Sequence, residues 1–221
     1  AMIHLTSPAA RPAAVAGMFY PADAQILSAE VDRLLDAAPR RLALAPKALI
    51  VPHAGYPYSG PIAATAYACL ASHADHISRV VLIGPAHRVA VRGLATPGAD
   101  RFATPLGEVP LDTTALAALE ALPHVNRNAL AHAEEHALEV QLPFLQRVLH
   151  EFSLVPLLVG DATVEEVAQA LDRVWGGEET LIVVSSDLSH YLPYAEARRT
   201  DAATLESILR GTPGLHGAQA C

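Results

Sequence analysis

Apolar positions gather in four short unbroken runs: residues 48–51 (ALIV), 80–83 (VVLI), 154–159 (LVPLLV) and 181–184 (LIVV). Aliphatic runs of this length, without polar alternation, predict strands covered on both faces of a sheet. The segments between them have a longer period. Asp23 stands where a helix N-cap is expected, and Ile26, Val31, Leu34 and Leu35 follow at helical spacing up to Ala38. Residues 61–71 read as a second helix, and Asp112-Thr113-Thr114 caps a third that runs to about Leu122. An amphipathic pattern then leads from the HAEEHALE stretch at 132–139 to about His150. Thr163 caps a further helix, with Glu166 placed as in a capping box and Val164, Val167, Leu171 and Val174 on one face. A last helix is expected over about 195–210.

Two stretches break the rhythm. Residues 1–24 read as irregular, with a turn at Gly17-Met18-Phe19-Tyr20-Pro21. Residues 89–111 carry short apolar pieces among Gly and Pro, which predicts short antiparallel strands or a hairpin at the sheet edge. Strands alternating with helices imply parallel pairing through crossover connections. The expected fold is α/β, a single domain with a central, mostly parallel mixed sheet flanked by helices.

The strand exits carry the candidate chemistry. Pro52 stops the first strand, and His53 follows it in PHAGYPYSG. The second strand ends in Gly84-Pro85-Ala86-His87, and the fourth runs into Ser185-Ser186-Asp187-Leu188-Ser189-His190. Open parallel sheets bind ligands beyond the carboxyl ends of their strands. A single loop histidine is more often structural, but three at equivalent exits change the balance, because imidazole is the commonest metal ligand among side chains. A mononuclear metal site is expected at this edge.

Other motifs compete weakly. His132 and His136 stand four apart, yet the zincin pattern needs glutamate directly after the first histidine, where Ala133 stands. Glu134, Glu135 and Glu139 can be carboxylates favoured in a first helical turn. His136 and Glu139 can equally face the pocket and orient a ligand from behind. His73, His76, His124 and His150 lie in or beside helices and read as solvated. Residues 84–87 hold too few glycines for a phosphate loop, and Ser185-Ser186 lacks a nucleophile elbow.

Composition narrows the classes. The chain has 221 residues, enough for a sizeable core, and 52% of them are hydrophobic, which argues for a packed globular protein. A net charge of −8 without a basic cluster disfavours nucleic acid as partner. No apolar run is long enough to cross a bilayer, and Arg11 with Pro8, Pro12 and Pro21 interrupts any leader, so a cytoplasmic protein without membrane attachment is expected. The two cysteines, Cys69 and Cys221, make no disulfide framework. Eleven histidines against so few charges are the one unusual feature of the composition.

PHAGYPYSG, GPAHR, EEHALEVQLPFL and SSDLSHY, in this order, with GMFYP near the start and GAQAC at the end, resemble the Memo family. Its bacterial and archaeal members are labelled protein B of the AmmeMemoRadiSam system. The resemblance implies a fold like that of class III extradiol dioxygenases. It implies that His53 and His87 bind a metal with Cys221 as third ligand, that His190 with Asp187 beside it acts as acid/base, and that Phe19 and Tyr58 line the pocket. Relatives continue past the position of Cys221 with a glycine and further segments, so a single Memo-like domain over 1–221 is expected to lack its C-terminal part. Two imidazoles and a thiolate suit iron, copper or zinc.

Three functions are compatible with these residues. The first is a metal-dependent oxidoreductase related to the dioxygenases, with a functional link to a radical SAM protein. The second is a non-enzymatic binding or adaptor protein that keeps the pocket for a peptide or small ligand. The third is a zinc hydrolase using metal-bound water.

Overall fold

A computed structural model describes residues 10–39, 45–212 and 219–221. Along the chain these form β1 (Ala10–Arg11), α1 (Ala24–Ala37), β2 (Ala48–Val51), α2 (Tyr56–Tyr67), β3 (Arg79–Pro85), β4 (Leu94–Thr96), β5 (Arg101–Thr104) and β6 (Gly107–Pro110). There follow α3 (Thr113–Glu120), β7 (Val125–Arg127), α4 (Ala129–Ala133), α5 (Leu142–Val148), β8 (Ser153–Val159), α6 (Val164–Val174), β9 (Thr180–Ser185) and α7 (Tyr194–Leu209). Internal contacts divide the chain into two compact units, one up to Ser185 and one from Ser186 to Cys221.

The first unit is α/β, built on a six-stranded sheet in the order β2-β9-β3-β8-β4-β7. The four apolar runs are its four inner or flanking strands β2, β3, β8 and β9, all parallel to one another. Only β4 runs antiparallel to its neighbour β8, so the sheet is mixed and mostly parallel as expected. Val80, Val81, Leu82, Leu154, Val155 and Leu157 are all fully enclosed, because helices cover both faces of the centre. Parallel alignment puts the carboxyl ends of β2, β9 and β3 on one edge. Asp23, Asp112 and Thr163 cap α1, α3 and α6 as their sequences predict, Thr163 with a complete capping box.

Four expectations need correction. α2 starts at Tyr56 rather than Pro61, since Gly55 O takes the N–H groups of Tyr58 and Ser59 and Pro57 needs no partner in a first turn. The edge segment divides: β4 joins the main sheet, while β5 and β6 form a hairpin in a second, three-stranded sheet with β1. That pairing also gives order to Ala10–Arg11 within a region read as irregular; the part before Ala10 lies outside the described residues. His73 and His124 are half-buried, each with Nε2 enclosed, rather than solvated.

The fourth correction matters most. No continuous helix covers 132–150: α4 stops at Ala133, and the chain turns through 134–138 before a short 3₁₀ turn, Glu139–Gln141, and α5. Arg11 causes the break. Its guanidinium donates to the carbonyls of His132 and Glu135, both at 2.6 Å, so these oxygens are satisfied without a following helical turn. Gly84 lets the turn lie against the sheet, because a Cβ there would stand 2.9 Å from Leu138 Cδ2.

The second unit contains α7 and the stretch before it. Ser189 N–H donates to Asp201 Oδ1, and Tyr191 takes a left-handed backbone with φ of 58°. Among the described residues no helix is long and apolar enough to cross a membrane.

Candidate metal centre

Pro52 ends β2 one residue before His53, and Ala86 separates β3 from His87. Their strands flank β9, so the two histidines start about 10 Å apart, two strand spacings. Their side chains lean over the end of β9 and bring the ring centroids to 5.2 Å. His136, on the turn between α4 and α5, completes the group, at 4.7 Å from the His87 ring and 5.6 Å from the His53 ring. One ring nitrogen from each of the three lies within 4.8 Å of the others, close enough to share one ion. Phe19 packs on His136 at 4.7 Å. His53 is 2% exposed, whereas His87 and His136 keep more accessible side chains, so the approach is from their side.

Hydrogen bonds decide which nitrogen each ring presents. Ser185, the last residue of β9, donates its one proton to Ala137 O at 2.6 Å. Its oxygen must therefore accept from Gln141 Nε2 at 2.9 Å and from His53 Nδ1 at 3.1 Å. Gln141 cannot be turned over: Nε2 also donates to Pro52 O, and Oε1 accepts from Tyr67 OH. Burial raises the Tyr67 phenol far above its ordinary range, which keeps it a donor. His53 thus carries its proton on Nδ1 and its lone pair on Nε2.

His87 reaches the same state by a different partner. Its Nδ1 lies 2.9 Å from Glu135 Oε1, and its backbone N–H donates to Glu135 Oε2 at 2.5 Å. The N–H groups of His136 and Ala137 also donate to Oε1. Burial alone would raise the Glu135 pKa; hydrogen bonds from His87 and from the Ala137 and His87 backbone outweigh it and hold the pKa at about 2. A carboxylate so ionised only accepts, so His87 Nδ1 is the donor. The same Oε1 stands 3.3 Å from His136 Nδ1. Imidazoles with Nδ1 tied back by a hydrogen bond, as at His53 and His87, bind metals through Nε2, and such nitrogen donors suit zinc, iron and copper.

The other expected residues are placed as follows. Tyr58 is on α2 and 83% exposed. In the second unit, His190 Nε2 lies 3.9 Å from Asp187 Oδ2 and 4.0 Å from Cys221 Sγ, and Cys221 N–H donates to Asp187 O at 3.0 Å. Glu139 does not orient a ligand; it is fully buried against Arg11. His132 and His136 part company because α4 ends between them. His132 turns into the core, its Nε2 2.9 Å from Ala95 O, and burial lowers its pKa to about 4.

Sequence reasoning missed Ser185 and Gln141 as supports of His53. The sequence marks Ser185 only as a candidate nucleophile, a role excluded by its 1% exposure and its committed proton. Gln141 gave no signal, since its partners Pro52 and Tyr67 lie 89 and 74 residues away.

A family model described as Memo-like protein matches residues 11–215. The chain belongs to the Memo family. A Memo relative from Aquifex aeolicus, a "MEMO1 family protein", is 38% identical over 204 residues, which is 90% of this chain and 74% of that protein. One from Archaeoglobus fulgidus is 36% identical, covering 88% and 73%. One from Methanopyrus kandleri is also 36% identical, covering 90% and 75%.

Proposed function

We propose that this Memo protein is a metal-dependent oxidoreductase related to the extradiol dioxygenases, with one transition metal ion held at the sheet edge. The observation that carries the reading is the convergence of His53, His87 and His136. Bound iron or copper would supply a redox couple and Lewis acidity there. The protein's part is to hold neutral nitrogen donors in fixed orientation and to leave the His87 side open. Cys221 as a further ligand, and His190 as the proton-handling group steered by Asp187, rest on the family resemblance. The 3.9 Å between His190 and Asp187 supports the pairing of those two.

Elemental analysis of anaerobically purified protein, beside a variant carrying both His53→Ala and His87→Ala, tests the site. A transition metal near one per chain, lost in the double variant, is the expected result. Oxygen uptake by the metal-loaded protein should then exceed that of His53→Ala; equal uptake removes the oxidoreductase reading and leaves the metal site standing.

A further inference from the structure

We propose that Glu135 is the positioning residue of this centre, a single buried carboxylate that fixes the ring orientation and tautomer of His87. The inference rests on the metal reading and extends it to how the site is held. The geometry is specific. Glu135 is 2% exposed, and its carboxylate is clamped by three backbone N–H groups from two separate elements. His87 N–H comes from the exit of β3; His136 and Ala137 N–H come from the turn after α4. A carboxylate so held has little freedom to turn, and its Oε1 accepts from His87 Nδ1 at 2.9 Å; His136 Nδ1 stands 3.3 Å from the same oxygen without a hydrogen bond to it.

The support of the third ring is of another kind. His53 Nδ1 is met by the Ser185 hydroxyl, which is neutral and itself fixed by Gln141 and Ala137. The centre is therefore backed unequally: His87 leans on an anion, and His53 leans on a hydroxyl. A carboxylate behind an imidazole orients the ring and strengthens it as a donor, and removing such a partner typically costs 10- to 100-fold in metal affinity. A purely structural role is the competing account, in which Glu135 only closes the 135–137 turn through its backbone contacts. The two differ in what happens at the rings.

The test uses the whole chain and Co(II) as probe, with affinity from chelator competition and the visible spectrum as readouts. Glu135→Gln places an amide N–H₂ among donors; it should bind Co(II) about 10- to 100-fold more weakly with a changed spectrum. Glu135→Asp keeps the charge and should recover part of the affinity. Ser185→Ala should shift the spectrum less. A folded Glu135→Gln protein with unchanged affinity and spectrum overturns the proposal. Nitrogen-15 spectra of the metal-free natural protein give a reading independent of variant folding. Above the imidazole titration range, His87 should be protonated on Nδ1, and an Nε2–H tautomer at His87 overturns the proposal. Equal Co(II) binding by the natural protein and the His53→Ala, His87→Ala variant would instead remove the metal reading, while the tautomers would still decide what Glu135 does.

Discussion

Glu135 and Glu139 stand one helical turn apart in sequence, and both are sealed from solvent, yet they belong to different parts of the molecule's work. Glu139 is ion-paired with Arg11 at 2.6 Å and accepts from the N–H groups of Ala14 and Val15 and from Tyr20 OH. It fastens the N-terminal segment to the turn before α5. Burial, and then the Glu139 charge, raise the Tyr20 phenol so that it stays a donor. Among the described residues no guanidinium or ammonium pairs with the Glu135 carboxylate; its side-chain partner is the His87 imidazole at the exit of β3. A permanent cation makes a carboxylate a clasp, whereas an imidazole that can also bind metal makes it a support for chemistry. The partner, not the residue type, assigns the role.

The comparison breaks most readily at Glu139. Glu139→Ala leaves the Arg11 guanidinium buried without its anion and should cost about 3–5 kcal/mol of stability by urea denaturation. A loss under about 1 kcal/mol would mean that the clasp carries little, and the contrast with Glu135 would fail.

His132 sharpens it, because its backbone carbonyl joins the Arg11 clasp while its ring is held neutral in the core. Its pKa falls from 6.5 to about 4 on folding, so between those values the unfolded chain binds the proton and the folded protein does not. Stability should therefore fall as pH drops from about 6.5 to about 4, by about 3 kcal/mol in total, and level off below. Urea midpoints across that window, compared with His132→Gln, measure the difference. Parallel curves would show that burial does not hold the ring neutral.

The smallest effect is expected at Arg101–Glu108, where both side chains are about half exposed. Arg101→Ala should change stability by less than about 1 kcal/mol, and high salt should erase the difference. A larger cost would show that pairing alone, without burial, suffices in this protein.

Much of the frame is legible without coordinates. The apolar runs mark β2, β3, β8 and β9 to within a residue or two, since a strand covered on both faces tolerates few polar positions. Asp23, Asp112 and Thr163 mark helix starts because a cap bonds within its own turn. His53 and His87 are legible as site residues because strand exits in a parallel sheet share an edge. The 132–150 segment is not legible: its helical pattern is overridden by Arg11, more than a hundred residues away, taking two carbonyls.

The sequence by itself determined the strands, most helix starts and two of the three clustered imidazoles, because those depend on contacts within a few residues or on a regular period. Only the tertiary structure decided that β9 lies between β2 and β3, that His136 turns outward while His132 turns in, and which nitrogen His53 and His87 present. Those outcomes depend on contacts between residues far apart in the chain, for which local pattern holds no record.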